Sequence, residues 1–355
     1  MQIDIRRTTT PRTLPQGPLG FGKHFTDHVF RMDYGGPQGH GWHSPRIEPY
    51  GPLPVDPAAS VLHYGQTIFE GLKAFKGQDG RVQLFRPDRH AQRFADSARR
   101  LCMPVLEPAD FVQAVRSLVS VERAWVPAVE GGALYVRPIL FGTEAFLGVR
   151  PATQYTFYVI LSPVGAYYAN GFNPVRIWCE RQHIRAAPGG LGSAKTAANY
   201  VASMAAAESA RARGYDQVLW LDAIEHRYLE EVGTMNVFAV FDDEVATPAL
   251  GDTVLPGVTR ETVLQLLKAR GLRATERKVS VEELRQAHAK GTLREVFGTG
   301  TAAVVSPVGV LGTDEGELVI GGGKAGPLAL GLFDEITKIQ RGVTEDRWGW
   351  TLAVD

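Results

Sequence analysis

The chain has 355 residues, 44% of them apolar and 21% charged, with Lys plus Arg and Asp plus Glu both at 38. That describes a globular protein of about two domains rather than a disordered or fibrous one, and the neutral balance argues against a nucleic-acid or anionic-membrane binder. No stretch has the apolar length to span a bilayer, and residues 1–20 lack the apolar centre of a secretory signal. A flexible arm and a cytoplasmic setting are therefore expected. The two cysteines, Cys102 and Cys179, form neither a CxxC pair nor a zinc spacing, which points to a reducing compartment without disulfide or metal.

Residues 81–85 alternate like a strand, and Pro87-Asp88 opens a helix to about 101. A second helix is expected from Pro108 to Trp125, with Phe111, Val112, Val115, Leu118 and Val119 at helical spacing. Runs 134–141 and 155–161 read as strands bounded by Gly and Pro. The small, turn-prone residues after Pro163 suit an interdomain link, and 175–179 reads as the next strand. Further on come an Ala-rich helix over 199–213, short buried-type strands at 217–221 and 237–241, a helix over 259–270, and another opened by the capping-box pattern at Ser280. Strands and helices without strict alternation predict an α+β (mixed α/β) fold.

Lys195 follows the small-residue run 188–194 and precedes a helix, surroundings that can desolvate its amine as a Schiff-base lysine requires. The same segment, 189–196, lies one residue from a Walker A loop, with Asp222 after an apolar run as its Walker B partner. Ala194 in place of glycine weakens that reading. Tyr200 lies just beyond, and Glu231-Val232-Gly233-Thr234-Met235-Asn236 follows some way later. An amine, an acid and a phenol are what an enzyme needs to hold and tune an aldehyde cofactor such as pyridoxal phosphate. Taken singly, Glu231 reads as a strand-edge ion-pair partner, and Thr234 and Asn236 as turn residues. Arg93 is one of several basic residues on its helix, and nothing in the sequence selects among them. The helix opening at Val258-Thr259-Arg260 and the turn at 297–302 are candidate anion sites. Arg137 interrupts a strand, where an inward charge needs a substrate carboxylate or an internal Glu.

Taken together, these stretches make the chain resemble branched-chain amino acid aminotransferases of the fold-type IV pyridoxal phosphate family. The likeness runs nearly end to end through Phe21-Gly22-Lys23, residues 62–64 and 69–75, 134–138, 163–167, 199–200, 231–236, 255–258 and 297–302. It implies a small N-terminal domain over 1–163, a linker at 164–174 and a large C-terminal domain over 175–355, with pyridoxal 5′-phosphate at their interface and a homodimeric assembly. It implies that Lys195 carries the cofactor, that Tyr200 bonds the ring oxygen and that Glu231 meets the pyridine nitrogen. Arg93, the backbone at Val258 and Thr259, and Thr301 would hold the phosphate, and Thr234 with the amide of Ala302 the substrate α-carboxylate. Phe21, Tyr64, Phe69 and Tyr135 would wall the side-chain pocket, Arg137 would meet a distal carboxylate, and Leu147 and Val149 would close over the neighbouring subunit's site. Ala197 and Ala198 stand where the family often has glycines. Ala303 and Ser306 replace the CxxC of some animal members. The implied reaction is reversible transfer of amino groups between leucine, isoleucine or valine and 2-oxoglutarate. D-amino acid aminotransferases and aminodeoxychorismate lyases share the lysine and glutamate; the LYVRP run and the aromatic pocket speak against both.

Overall fold

In the computed structural model, which describes residues 1–36, 39, 41–166 and 172–354, the chain divides into two units. One comprises Met1–Ala169, Ala194–Ala197 and Lys338–Asp355; the other comprises Asn170–Ser193 and Ala198–Thr337. Of the expected 164–174 linker, residues 167–171 lie outside the described ones.

The first unit carries strands β1 (Asp4–Ile5), β2 (His28–Tyr34), β3 (Trp42–Pro49), β4 (Thr67–Phe69), β5 (Leu72–Lys76), β6 (Val82–Phe85), β7 (Ala133–Gly142) and β8 (Tyr155–Val164), with helices α1 (Ser60–Tyr64), α2 (Pro87–Arg100) and α3 (Pro108–Val121). One sheet runs β1-β3-β2-β8-β7-β5-β6 and then the C-terminal strand Thr351–Ala353, with β4 also on β7. Its long spine is the antiparallel β7–β8 pair, registered from Ala133↔Val164 to Gly142↔Tyr155. Strand side chains alternate between faces, so Leu134, Val136 and Leu140 enter the core with Phe157, Val159 and Leu161. That leaves Tyr135, Arg137, Ile139 and Phe141 on the opposite face. Helices α2 and α3 cover the core side through Ala91, Phe94, Ala98, Phe111, Val115 and Leu118. The rings of Phe94, Phe111 and Phe157 pack with centroids 5.2–5.9 Å apart.

Helix α3 stops at Val121 rather than 125, and the carboxylate of the next residue, Glu122, pairs with buried His28. A 3-10 turn, Arg123–Trp125, completes the segment.

The second unit holds β9 (Val175–Cys179), β10 (Gln217–Leu221), β11 (Leu229–Val232), β12 (Met235–Phe241), β13 (Val245–Thr247), β14 (Ala274–Glu276), β15 (Leu293–Gly300), β16 (Val304–Thr313) and β17 (Gly316–Val319). Its helices are α5 (Met204–Ala212), α6 (Val258–Ala269) and α7 (Val281–Ala289), with all but the first residue of α4 (Ala197–Ala202) and all but the last three of α8 (Pro327–Gln340). Strand order is β11-β10-β9-β16-β15-β12-β13-β14, and β11 also pairs with β12. The six strands from β11 to β12 thus close on themselves as a barrel of mixed parallel and antiparallel pairs. The helix expected over 199–213 is broken at Ser203, whose hydroxyl donates to the Tyr200 carbonyl at 2.7 Å and competes with the helical ladder.

Phe157, fully buried among Phe30, Phe94 and Phe111, sets the packing of the first unit. Phe157→Ala should cost about 3–5 kcal/mol, read as a lower urea midpoint. A loss below about 1 kcal/mol would show that this cluster is not central to the core.

Candidate active site

Lys195 owes its position to backbone bonds on both sides. The Phe69 amide donates to the Lys195 carbonyl at 3.0 Å, Ile68 and Thr196 form an antiparallel bridge, and the Thr196 hydroxyl donates to the Thr67 carbonyl at 2.7 Å. On the other side the Lys195 amide donates to Ser97 Oγ at 3.0 Å. The lysine is thereby tied to β4 and to α2, and its Nζ lies 5.0 Å from the Phe69 ring centroid.

Helix α2 supplies a polar stripe. His90, Arg93 and Ser97 recur at helical spacing and are buried, whereas Arg89, Arg99 and Arg100 are exposed. Burial, the property the sequence withholds, singles out Arg93 on this stripe. Its Nε and Nη2 grip both oxygens of fully buried Glu70 at 2.6 and 2.9 Å, and His90 Nδ1 lies 2.7 Å from the same carboxylate. Burial alone would push the Glu70 carboxyl up; the charges and hydrogen bonds of Arg93 and His90 together outweigh it and hold Glu70 well below the usual carboxylate range. Burial pushes His90 below its ordinary value, so the imidazole is neutral near pH 7 and donates from Nδ1.

The sheet face opposite the core carries Phe69, Lys73, Tyr135 and Arg137. The Arg137 guanidinium lies over the rings of Phe69 and Tyr135, 4.8 and 5.3 Å from their centroids, and its Nη2 donates to the Tyr135 hydroxyl at 2.9 Å. Its Nε is buried without a hydrogen-bond partner among the described residues. No Glu among the described residues pairs with it. Phe21 stacks edge-on against Tyr135 at 4.9 Å. Tyr64 is half exposed and donates to the Leu147 carbonyl, while Leu147 and Val149 point largely to solvent. Lys73 faces Tyr135 across β5 and β7. Burial, with the nearby charge of Arg341, pushes its amine down to about 8.

In the second unit Glu231, Asn236 and Thr299 face one another across β11, β12 and β15. Partners directly opposite in an antiparallel pair share a face, so the three side chains form one row. Glu231 is buried and accepts from Arg185 Nε and Nη2 at 2.8 and 2.7 Å and from the Leu255 amide at 2.8 Å. Burial would push Arg185 down, but Glu231 more than offsets it, and the guanidinium is held more firmly protonated than usual. Arg185 is a site residue that sequence reasoning missed; its one signal is a charge set among Ile184, Ala186 and Ala187. Gly233, at φ 58°, and Thr234 make the tight turn between β11 and β12, and Thr234 is exposed at its tip. Val258 and Thr259 open α6 behind Gly257, which offers the first-turn amides no side-chain cap. Thr299 Oγ1 is buried without a partner among the described residues, and Thr301 and Ala302 follow in the turn after β15. Tyr200 lies half-buried on α4.

The nucleotide reading loses its parts here. Asp222 accepts from the amides of Ile224, Glu225, Arg227 and Tyr228 and so organises its own loop. The Gly189 and Ser193 amides are taken by Asp252. Among the described residues no group of His, Cys, Asp or Glu could hold a metal ion, and no helix is long and apolar enough to cross a membrane.

Residues 67–310 match the family model for amino-transferase class IV. The chain is 47% identical over 354 residues to branched-chain-amino-acid aminotransferase 2 of Bacillus subtilis (strain 168), covering 100% of this chain and 97% of that one. Among solved structures it is similar to the branched-chain aminotransferase from the thermophilic archaeon Thermoproteus uzoniensis with norvaline, at TM-score 0.75 and 25% identity over 92% of this chain and 100% of that one. The branched-chain amino acid aminotransferase from Escherichia coli gives TM-score 0.73 and 26% identity over 93% and 99%. The mixed α+β architecture is that of these fold-type IV proteins.

The depressed Lys73 amine has a consequence for stability. The unfolded chain holds that proton up to about pH 10.4 and the folded chain only to about 8. Stability should therefore rise with pH across that window, by on the order of ~3 kcal/mol. Urea unfolding at pH 7.5 and 10 should show the rise in wild type and a flatter response in Lys73→Met; parallel curves would refute the assignment.

Proposed function

The chain belongs to the class IV amino-transferase family, and from that membership we propose that it exchanges amino groups between leucine, isoleucine or valine and 2-oxoglutarate, with pyridoxal 5′-phosphate as cofactor. The observation that carries this reading is the joint presence of a backbone-anchored Lys195 and a buried, arginine-held Glu231. The residues fit the cofactor. A buried carboxylate held by Arg185 and the Leu255 amide suits a ring nitrogen that carries a proton. Amides at the start of α6 without a side-chain cap and the Thr299 hydroxyl, without a partner among the described residues, suit a phosphate.

When bound, pyridoxal phosphate supplies an aldehyde that condenses with amines and a ring that draws electrons from the substrate's α-carbon. The chain's own groups do the rest. Lys195 Nζ would hold the cofactor at rest and, when free, would carry one proton between the substrate's α-carbon and the cofactor's aldehyde-derived carbon, in either direction. Glu231 would meet the ring nitrogen, and Tyr200 would bond the ring oxygen. Arg93, held by Glu70, and the amides of Val258 and Thr259 with Thr301 bind phosphate. Thr234 and the Ala302 amide take the substrate's α-carboxylate. Phe21, Tyr64, Phe69 and Tyr135 accept the aliphatic chain, and Arg137 with the Tyr135 hydroxyl accepts the distal carboxylate of glutamate. We read the enzyme as a cytoplasmic homodimer in which the exposed loop at Leu147 and Val149 covers the neighbouring subunit's site.

Two measurements test this. The purified protein with pyridoxal phosphate should show a visible band that bleaches with leucine, and borohydride trapping should label Lys195; active enzyme left unlabelled there would sink the reading. Arg137→Met should weaken use of glutamate by more than about tenfold relative to leucine, because the methionine keeps the bulk and loses the charge. Equal losses in kcat/KM for both substrates would remove Arg137 from that role.

A further inference from the structure

Asn236 has no part in the chemistry above, yet it is buried in the same row as Glu231 and Thr299. Its Nδ2 donates to the Leu255 carbonyl at 2.9 Å, while the Leu255 amide donates to Glu231 at 2.8 Å. One residue is thus gripped at both its backbone polar groups, two residues before Gly257 and the start of α6. The fit is close. A Cβ at Gly257 would stand 1.9 Å from Asn236 Oδ1, so the chain passes over this side chain only as glycine. Next along the row, Thr299 Oγ1 is buried at 1% exposure of its residue with no partner among the described residues. Helix α6 packs against β15, the strand that carries it.

We propose that Asn236 is a positioning residue. Together with Glu231 it brackets Leu255-Pro256-Gly257 so that the opening amides of α6 are aimed at the cofactor's phosphate. The inference rests on the cofactor assignment above and deepens it: the acid for the ring nitrogen and the cup for the phosphate share one bracket. Asn236 is assigned no contact with either group. Its loss lets the helix start drift, and amides that form charge-assisted bonds only when well aimed lose their grip.

The test compares two aldehydes. Protein freed of cofactor is titrated with pyridoxal 5′-phosphate and with pyridoxal, which lacks the phosphate, following the visible band. Asn236→Ala should weaken the phosphorylated aldehyde by about tenfold or more and pyridoxal by less than about twofold. Asn236→Ser, a smaller disturbance, should show the same selectivity and guards against a folding defect in the alanine variant; melting temperature and circular dichroism report the fold. Gly257→Ala should lose phosphate affinity on its own account, and adding Asn236→Ala should cost no more, because removing the amide vacates the space the new Cβ needs. Equal weakening of both aldehydes, or of neither, would overturn the proposal, as would fully additive losses in the double variant. A wild type that gives a band with neither aldehyde overturns the cofactor assignment itself, a result distinct from these.

Discussion

The carboxylate of Glu231 is the constraint on which the second unit's site depends. Removed from water, it would be costly unless answered, and both oxygens are answered: Arg185 takes the two of them and the Leu255 amide adds a third bond. A carboxylate so held is fixed in place. The same three bonds fix where the chain goes next, since Leu255 leads directly into Gly257 and α6. Electrostatic and geometric roles are therefore served by one side chain.

The first unit solves a similar problem with other residues. Glu70, fully buried, binds Arg93 and His90, and the arginine is thereby held in place before any anion arrives. That is the logic of preorganisation: the cost of ordering the cation is met in folding rather than in binding. The lysine is ordered likewise, by backbone bonds to Phe69, Thr67 and Ser97 rather than by its own side chain. Its long side chain extends from a fixed stem.

Much of this was legible from the residues. The helices of the first unit, the paired strands around Arg137 and the lysine and glutamate motifs follow from periodicity, turn chemistry and family likeness. What was not legible has physical causes. Strand β3 hides because Pro45 and Pro49 read as strand breakers, although Arg31, Asp33, Arg46 and Glu48 pair on the outer face of β2 and β3. Arg93 could not be told from its basic neighbours because burial depends on Glu70, more than twenty positions away. Asn236, a turn residue by default, lies inside a strand, and its partner at Leu255 is nineteen positions distant. Arg185 met its acid only through long-range pairing.

The closed ring of strands that carries Glu231, Asn236 and Thr299 acts as a ruler. Adjacent strands are spaced by hydrogen-bond geometry at about 4.8 Å, so the ends of the row lie about 10 Å apart whatever side chains surround them. Side chains can be exchanged along such a scale without altering its graduations. A slip of one residue at the Gly233-Thr234 hairpin is another matter, because it would swing Glu231 to the outside of the wall while Asn236 stayed within. Evolution can thus retune what this wall recognises far more easily than it can change how far apart two recognised groups stand.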